Sequence, residues 1–168
     1  MDFIEWLQTE IAEGHIMGDQ VMDGLTGEVA HFEPGGTTNN IAQLMAHLTM
    51  GQDRAINVAI RGGQSVFDLG GWGARTGIPS ERGAIWNKGW KLDLDAFQTY
   101  RTQVNQSAKA FMASAKPSDF EGETQWGPPG MMRPKLWVLG TPATSHLRFH
   151  YGEISTIKGL QGLKGLPF

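Results

Sequence analysis

Four stretches of the chain repeat apolar side chains every three or four residues, the spacing that puts side chains on one face of an α-helix. They cover residues 2–25, 40–60, 93–115 and 142–160. In the second stretch the stripe consists of small or apolar residues: Ile41, Leu44, Leu48, Gly51, Ala55 and Val58. The pattern predicts four helices.

Short polar side chains stand where each predicted helix begins, and they can accept hydrogen bonds from the first free backbone N–H groups. The predicted caps are Asp2, Asn39 or Asn40, Asp93 and Thr141. Glu5 follows Asp2 by three residues, which is the spacing of a capping box. Pro142 follows Thr141, and a proline at the first helical position loses no hydrogen bond.

Two of the predicted connections are long, residues 61–92 and residues 117–140, and both contain many glycines. Loops of this length are uncommon in compact domains unless they line a functional site or contain short elements of their own. The prediction is an all-α fold, a four-helix bundle with long crossover loops between helices 2 and 3 and between helices 3 and 4.

The composition indicates one globular domain covering residues 1–168, with 40% hydrophobic and 18% charged residues. The net charge is −3 and no basic cluster occurs, which disfavours nucleic acid as a partner. No apolar run reaches the roughly 20 residues of a membrane span, and no secretion signal is recognisable, so we expect a cytoplasmic protein without a membrane partner. The sequence contains no cysteine, so any reactive thiol would arrive with a cosubstrate.

Two histidines, His146 and His150, are four residues apart on the fourth predicted helix. At that spacing both rings stand on one face and can reach one metal ion. They interrupt a stripe of otherwise mostly apolar residues: Leu139, Ala143, His146, His150, Glu153, Ile157 and Leu160. The pair is therefore predicted to point into the bundle, either to bind a metal or to hydrogen-bond buried carbonyl or carboxylate groups.

His47 favours the metal interpretation, since it flanks the apolar stripe of the second helix. Gly51, one turn further, would allow another helix to approach closely. Three histidines from two helices match the three-ligand pattern of catalytic zinc sites, which leaves a position for water or substrate. Glu153 lies on the same face as His150 and is predicted to orient an imidazole, to act as a general base or to be a solvated surface residue.

Other polar and aromatic residues have less specific patterns. His15 and His31 are predicted to be surface or capping residues, and Asp53 is out of phase with His47. Three tryptophans of the first long loop either cover the end of the bundle as core or line an apolar substrate pocket: Trp72, Trp86 and Trp90.

Two segments resemble the DinB/YfiT-like family of metal-dependent enzymes. One is residues 41–48, IAQLMAHL, and the other is residues 145–154, SHLRFHYGEI, followed by GLQGL at 159–163. The resemblance implies a four-helix bundle with a three-histidine site for a divalent metal ion, zinc or nickel. By motif match the ligands are His47, His146 and His150.

The resemblance also implies a class of reaction. Members include thiol-dependent S-transferases and isomerases that use a low-molecular-weight thiol cosubstrate, and hydrolases, all acting on small-molecule substrates. Many relatives have glutamine where this chain has Glu153. Dimers are frequent in the family, so a homodimer is an alternative to a monomer. The alternative function is noncatalytic binding of a metal or small molecule, as in a stress-response accessory protein.

Overall fold

The computed structural model describes residues 2–81 and 83–166, and four long helical segments form its frame. The helices are α1 Phe3–Met22, α2 Gly27–Ala30, α3 Ile41–Asp53, α4 Val66–Leu69, α5 Trp72–Thr76, α6 Leu94–Ser114, α7 Lys135–Gly140 and α8 His146–Leu160. The strands are β1 Glu123–Gln125 and β2 Met132–Pro134, and single 3₁₀ turns cover Ala84–Trp86 and Pro117–Phe120. Two segments are wide π-helices. Arg54–Ile60 extends α3, and Thr141–Ser145 joins α7 to α8.

Side-chain bonds between helices define the direction of each one in the bundle. α1 and α8 run in one direction, while α3 and α6 run in the opposite direction. The bonds that establish this are Gln8–Met112, Arg101–Asp19, Tyr100–Asp53, Ser107–Asn57, Arg148–Glu10 and Lys158–Val21. The all-α prediction is confirmed, since the one sheet among the described residues is a two-stranded antiparallel hairpin.

The core consists of two neighbouring groups of buried side chains along the bundle. The first includes Leu44, Trp72 and Tyr100, and the second includes Ile56 and Leu139. Burying each large apolar side chain contributes about 1.5–3 kcal/mol, so the fold depends mainly on these contacts. Within the described residues no helix is both long and apolar enough to cross a membrane.

Three of the predicted helix caps are confirmed. Asp2 and Asn40 each form a capping box, and Asp93 accepts from the backbone N–H of Ala96. The cap predicted at Thr141 is wrong, because the fourth helix begins at Lys135 and continues through the π-helical segment into α8. The Gly140 carbonyl instead accepts bonds from two hydroxyl groups further along that segment, Thr144 Oγ1 at 2.7 Å and Ser145 Oγ at 3.0 Å. Pro142 therefore lies inside the helix, where the wide turn accommodates its missing N–H.

The long connections contain short elements of their own. In the first, residues 61–92, the fully buried carboxylate of Asp53 accepts the backbone N–H groups of Val66 and Phe67, both at 2.9 Å, and the Tyr100 hydroxyl at 3.0 Å. This network ties α4 to the bundle. The second connection contains the hairpin. It ends at residue 134 rather than at the predicted residue 140, because α7 already belongs to the fourth helix.

Candidate metal centre

Three histidine rings from two helices meet at one point. His47 lies in α3, while His146 and His150 lie one turn apart at the start of α8. His146 Nε2 is 3.3 Å from His47 Nε2 and 2.9 Å from His150 Nε2. Each residue offers one ring nitrogen, and the three nitrogens lie within 4.8 Å of one another. The rings predicted to share a site are therefore brought together.

The spacing of these nitrogens fits a small divalent ion. A zinc-type ion holds each imidazole nitrogen at about 2.0–2.1 Å, so two tetrahedral ligands are about 3.3 Å apart. The His47–His146 pair has this separation, and the His146–His150 pair is closer by a few tenths of an ångström. The three side chains form a cluster that is able to hold a metal ion, and nitrogen donors suit zinc, nickel, copper or iron.

The Glu153 carboxylate determines which nitrogen of His150 faces the cluster. Glu153 Oε2 is 2.6 Å from His150 Nδ1. Since a carboxylate only accepts, Nδ1 carries the proton and donates it. The Nε2 lone pair of His150 then points toward His146. This pairing of a carboxylate with the outer nitrogen is the usual support of a metal-binding histidine.

Burial and mutual repulsion keep two of the rings neutral. Burial, followed by the nearby His146 and His150, lowers the pKa of His47 to about 4. Burial and His150 also lower the pKa of His146, and the Glu153 carboxylate opposes this in part. Neutral imidazole is the form that binds a metal, so both rings have available lone pairs at neutral pH.

The wide turn before α8 places the two histidines at the edge of the core. The buried row of the fourth helix includes Leu139, Ala143, Leu147, Tyr151, Ile154 and Lys158, with three successive steps of four residues. Ile157 of the predicted stripe is buried as predicted, but the stripe is wrong at Glu153 and Leu160, which are exposed. A π turn adds about one residue to a helical turn. The side chains that follow are therefore shifted around the helix axis by about one residue position. His146 and His150 become half-buried and accessible.

The sequence comparison agrees with this architecture. A family model of the DinB superfamily matches residues 18–154, most of the chain, including all three histidines. The chain belongs to the DinB superfamily. DinB-like proteins often bind a divalent metal ion. No curated protein shows a significant match to the chain.

The three tryptophans of the first long loop have different positions in this DinB protein. Trp72 is fully buried, as the core interpretation predicts, and Trp90 is half-buried with its Nε1 donating to the Ile85 carbonyl. Trp86 is 38% exposed, and its ring centroid is 4.8 Å from that of His47. Trp86 therefore forms a wall of the histidine cluster.

The prediction for Gly51 is wrong. A Cβ atom placed on this glycine would meet no other helix and no side chain within 4 Å. Gly51 is one turn from His47 on the same face of α3, so the glycine leaves open space beside the cluster rather than a close helix contact. The histidine cluster is thus bordered by the aromatic ring of Trp86, and Gly51, one turn from His47, has no neighbouring side chain.

The remaining polar residues considered from sequence lie away from the cluster. His31 ends α2, and its Nε2 accepts from the Leu92 N–H, so it is a capping residue as predicted. Asp53 accepts the first backbone N–H groups of α4, so its role is structural. His15 is half-buried rather than on the surface, and its Nε2 is 3.2 Å from Gln52 Oε1. Gln52 itself was not predicted, because an isolated glutamine carries no motif.

Proposed function

We propose that this DinB protein is a metal-dependent enzyme in which His47, His146 and His150 bind one divalent ion, zinc or nickel. The observation that supports it is the convergence of three Nε2 atoms from two helices at a half-exposed position. Three protein ligands leave a coordination position for a further group, as in catalytic rather than structural zinc sites. When bound, such an ion lowers the pKa of a coordinated thiol or water and so supplies a nucleophile at neutral pH.

The chain's own residues bind and orient the reactants. Glu153 holds the His150 ring by the 2.6 Å bond to Nδ1, so its lone pair stays directed at the cluster. Trp86 offers an apolar surface beside His47 for a small-molecule substrate, and Gly51 has no side chain that would obstruct the approach one turn away. The absence of cysteine means that, in the thiol-transfer version of the reaction, the thiol belongs to a low-molecular-weight cosubstrate.

The noncatalytic alternative, a metal-binding accessory protein, requires every coordination position to be filled by the protein. Glu153 is the nearby carboxylate that would fill the fourth position. In the structure its Oε2 instead contacts the outer nitrogen of His150, which faces away from the other two rings. This arrangement favours the enzyme over the accessory protein.

Two substrate panels test the proposal and distinguish thiol transfer from hydrolysis. Protein loaded with zinc or nickel is incubated with low-molecular-weight thiols and electrophiles, and separately with esters and amides. We expect turnover in one panel, reduced at least 100-fold in His146→Gln. The matched control, His31→Gln, changes a histidine outside the cluster and retains turnover. No turnover in either panel by metal-loaded protein would overturn the enzymatic proposal.

A further inference from the structure

Two hydrogen bonds, one buried and one half-buried, link α1 and α3 to the wide turn before α8. Gln52 is only 3% exposed, and its Nε2 donates to the carbonyl of Ala143 at 3.2 Å. Its Oε1 lies 3.2 Å from His15 Nε2. Ala143 is the central residue of the π-helical segment Thr141–Ser145, three residues before His146. This pair of bonds therefore ends on the backbone that carries two of the three histidines.

The Ala143 carbonyl fixes the orientation of the Gln52 amide, because a carbonyl only accepts and the amide nitrogen must therefore face it. The amide oxygen then faces His15, so His15 Nε2 carries a proton and donates it to Oε1. Burial lowers the pKa of His15, which is consistent with a neutral ring holding this one proton. No other orientation of the amide satisfies both neighbours.

The carbonyl at Ala143 lies in the irregular part of the helix, and it accepts the Gln52 bond there from another helix. Wide turns weaken the regular ladder of helical hydrogen bonds, and they persist where surrounding groups replace the lost bonds. Hydroxyl groups of Thr144 and Ser145 do this at the Gly140 carbonyl, from within the same segment. Gln52 is the donor from another helix, and it comes from α3, the helix that also carries His47.

We propose that Gln52, hydrogen-bonded to His15 and to Ala143, is a positioning residue for the metal centre: it holds the wide turn that rotates His146 and His150 toward His47. Without it, the turn relaxes toward the regular helix, and the two rings rotate away from the third. Since Gln52 connects the two helices that carry the three histidines, it also fixes their relative position along the bundle axis. This inference rests on the proposed metal-binding function.

The test compares Gln52→Leu with Gln8→Leu. Gln8 is a matched control, because its Nε2 also donates to a carbonyl of another helix, Met112 O at 2.9 Å, but that carbonyl belongs to α6 and not to the turn. Gln52→Glu is the second variant, since a carboxylate keeps the volume and accepts from His15 but cannot donate to Ala143. Two quantities are measured: zinc affinity by competition with a chelating dye, and amide hydrogen exchange of residues 141–150 in metal-free protein.

We expect zinc affinity to fall about tenfold or more in both Gln52 variants and to stay within about twofold in Gln8→Leu. Exchange of the turn amides should accelerate at least tenfold in the Gln52 variants alone. Unchanged turn exchange, or unchanged zinc affinity with faster exchange, would overturn the positioning role. If the unchanged protein binds no metal, the proposed function fails instead, and the exchange comparison still decides whether Gln52 holds the turn.

Discussion

At the scale of single residues, the contact between Glu153 and His150 shows how one carboxylate can orient a proposed metal ligand without filling a coordination position itself. The carboxylate is more than half exposed, so its electrostatic effect is screened by solvent. Its geometric effect is not screened, because a 2.6 Å bond to Nδ1 fixes both the tautomer and the ring orientation.

Glu153→Ala should reduce metal affinity about tenfold, since removal of the outer hydrogen-bond partner of a ligand typically costs 10–100-fold. Glu153→Gln should stay within about threefold of the unchanged protein, because the amide oxygen still accepts from Nδ1–H. Metal titration of the two variants provides the measurement. Equal affinity in Glu153→Ala and the unchanged protein would show that the contact does not support the ligand. A loss of turnover in Glu153→Gln at unchanged affinity would assign it the role of base.

The meeting of the three histidines and the contact of Glu153 with His150 were predictable from sequence, but the contacts of Gln52 were not, and the role of Trp86 was left open. His146 and His150 stand at the spacing that brings two side chains onto one helix face, so local geometry alone predicts that they meet. His47 required the additional inference that α3 and α8 are in contact. The positions of Gln52 and Trp86 depend on tertiary contacts to Ala143 and His47, and no periodic pattern encodes those contacts.

At the scale of the helices, two glycines with similar sequence contexts have opposite surroundings. Gly51 in α3 borders open space, whereas a Cβ on Gly18 in α1 would lie 2.6 Å from the Tyr151 hydroxyl and 2.7 Å from Arg101 Nη2. The Arg101 side chain has little freedom to move away, because it is buried and donates to Asp19 Oδ1 at 2.6 Å and to the His15 carbonyl at 3.2 Å.

Gly51→Ala should therefore raise the free energy of unfolding by about 0.5–1 kcal/mol, the helix preference of alanine over glycine. Gly18→Ala should lower it by about 1–3 kcal/mol, because the added methyl group overpacks the contact with Tyr151 and Arg101. Denaturant unfolding of metal-free protein measures both values. Destabilisation by Gly51→Ala would mean that a close helix contact exists there after all.

Helix starts were more predictable than helix periodicity. Asp2, Asn40 and Asp93 are found at helix starts because capping depends on neighbours in sequence. The wide turns at Arg54–Ile60 and Thr141–Ser145 were not predicted, because in the sequence an apolar stripe at steps of three and four continues through both segments. Thr141-Pro142 has the sequence of a helix start, yet the packing of α7 against the bundle extends the helix through it.

At the scale of the whole molecule, the presence and chain order of four long helices were predictable from their apolar stripes, whereas their directions were not predicted. The short elements inside the connections were not predictable residue by residue. Their anchors are distant contacts, such as Asp53 with the first turn of α4 and Thr124 Oγ1 with the Ala59 carbonyl. Such contacts become visible only when the helices are already in place.

Stability of the metal-free protein should decrease as the pH falls from about 6.5 to about 4. The pKa of His47 is 6.5 in the unfolded reference and about 4 in the fold, so the unfolded chain binds more protons in this range. The contribution is complete above the unfolded pKa and is lost as the pH approaches the folded one. Melting temperatures between pH 4 and 8 measure it, with His47→Gln as the control in which the slope becomes shallower. An equal slope in that variant would contradict the assignment.

The proposed function requires that one divalent ion binds where His47, His146 and His150 meet. The most direct test is a titration of metal-free protein with zinc and with nickel, with elemental analysis of the dialysed complex. We predict one ion per chain for the unchanged protein, and less than a tenth of the affinity when any one of the three histidines is replaced by alanine. Absence of a bound ion, or binding that is unaltered in all three variants, would contradict it.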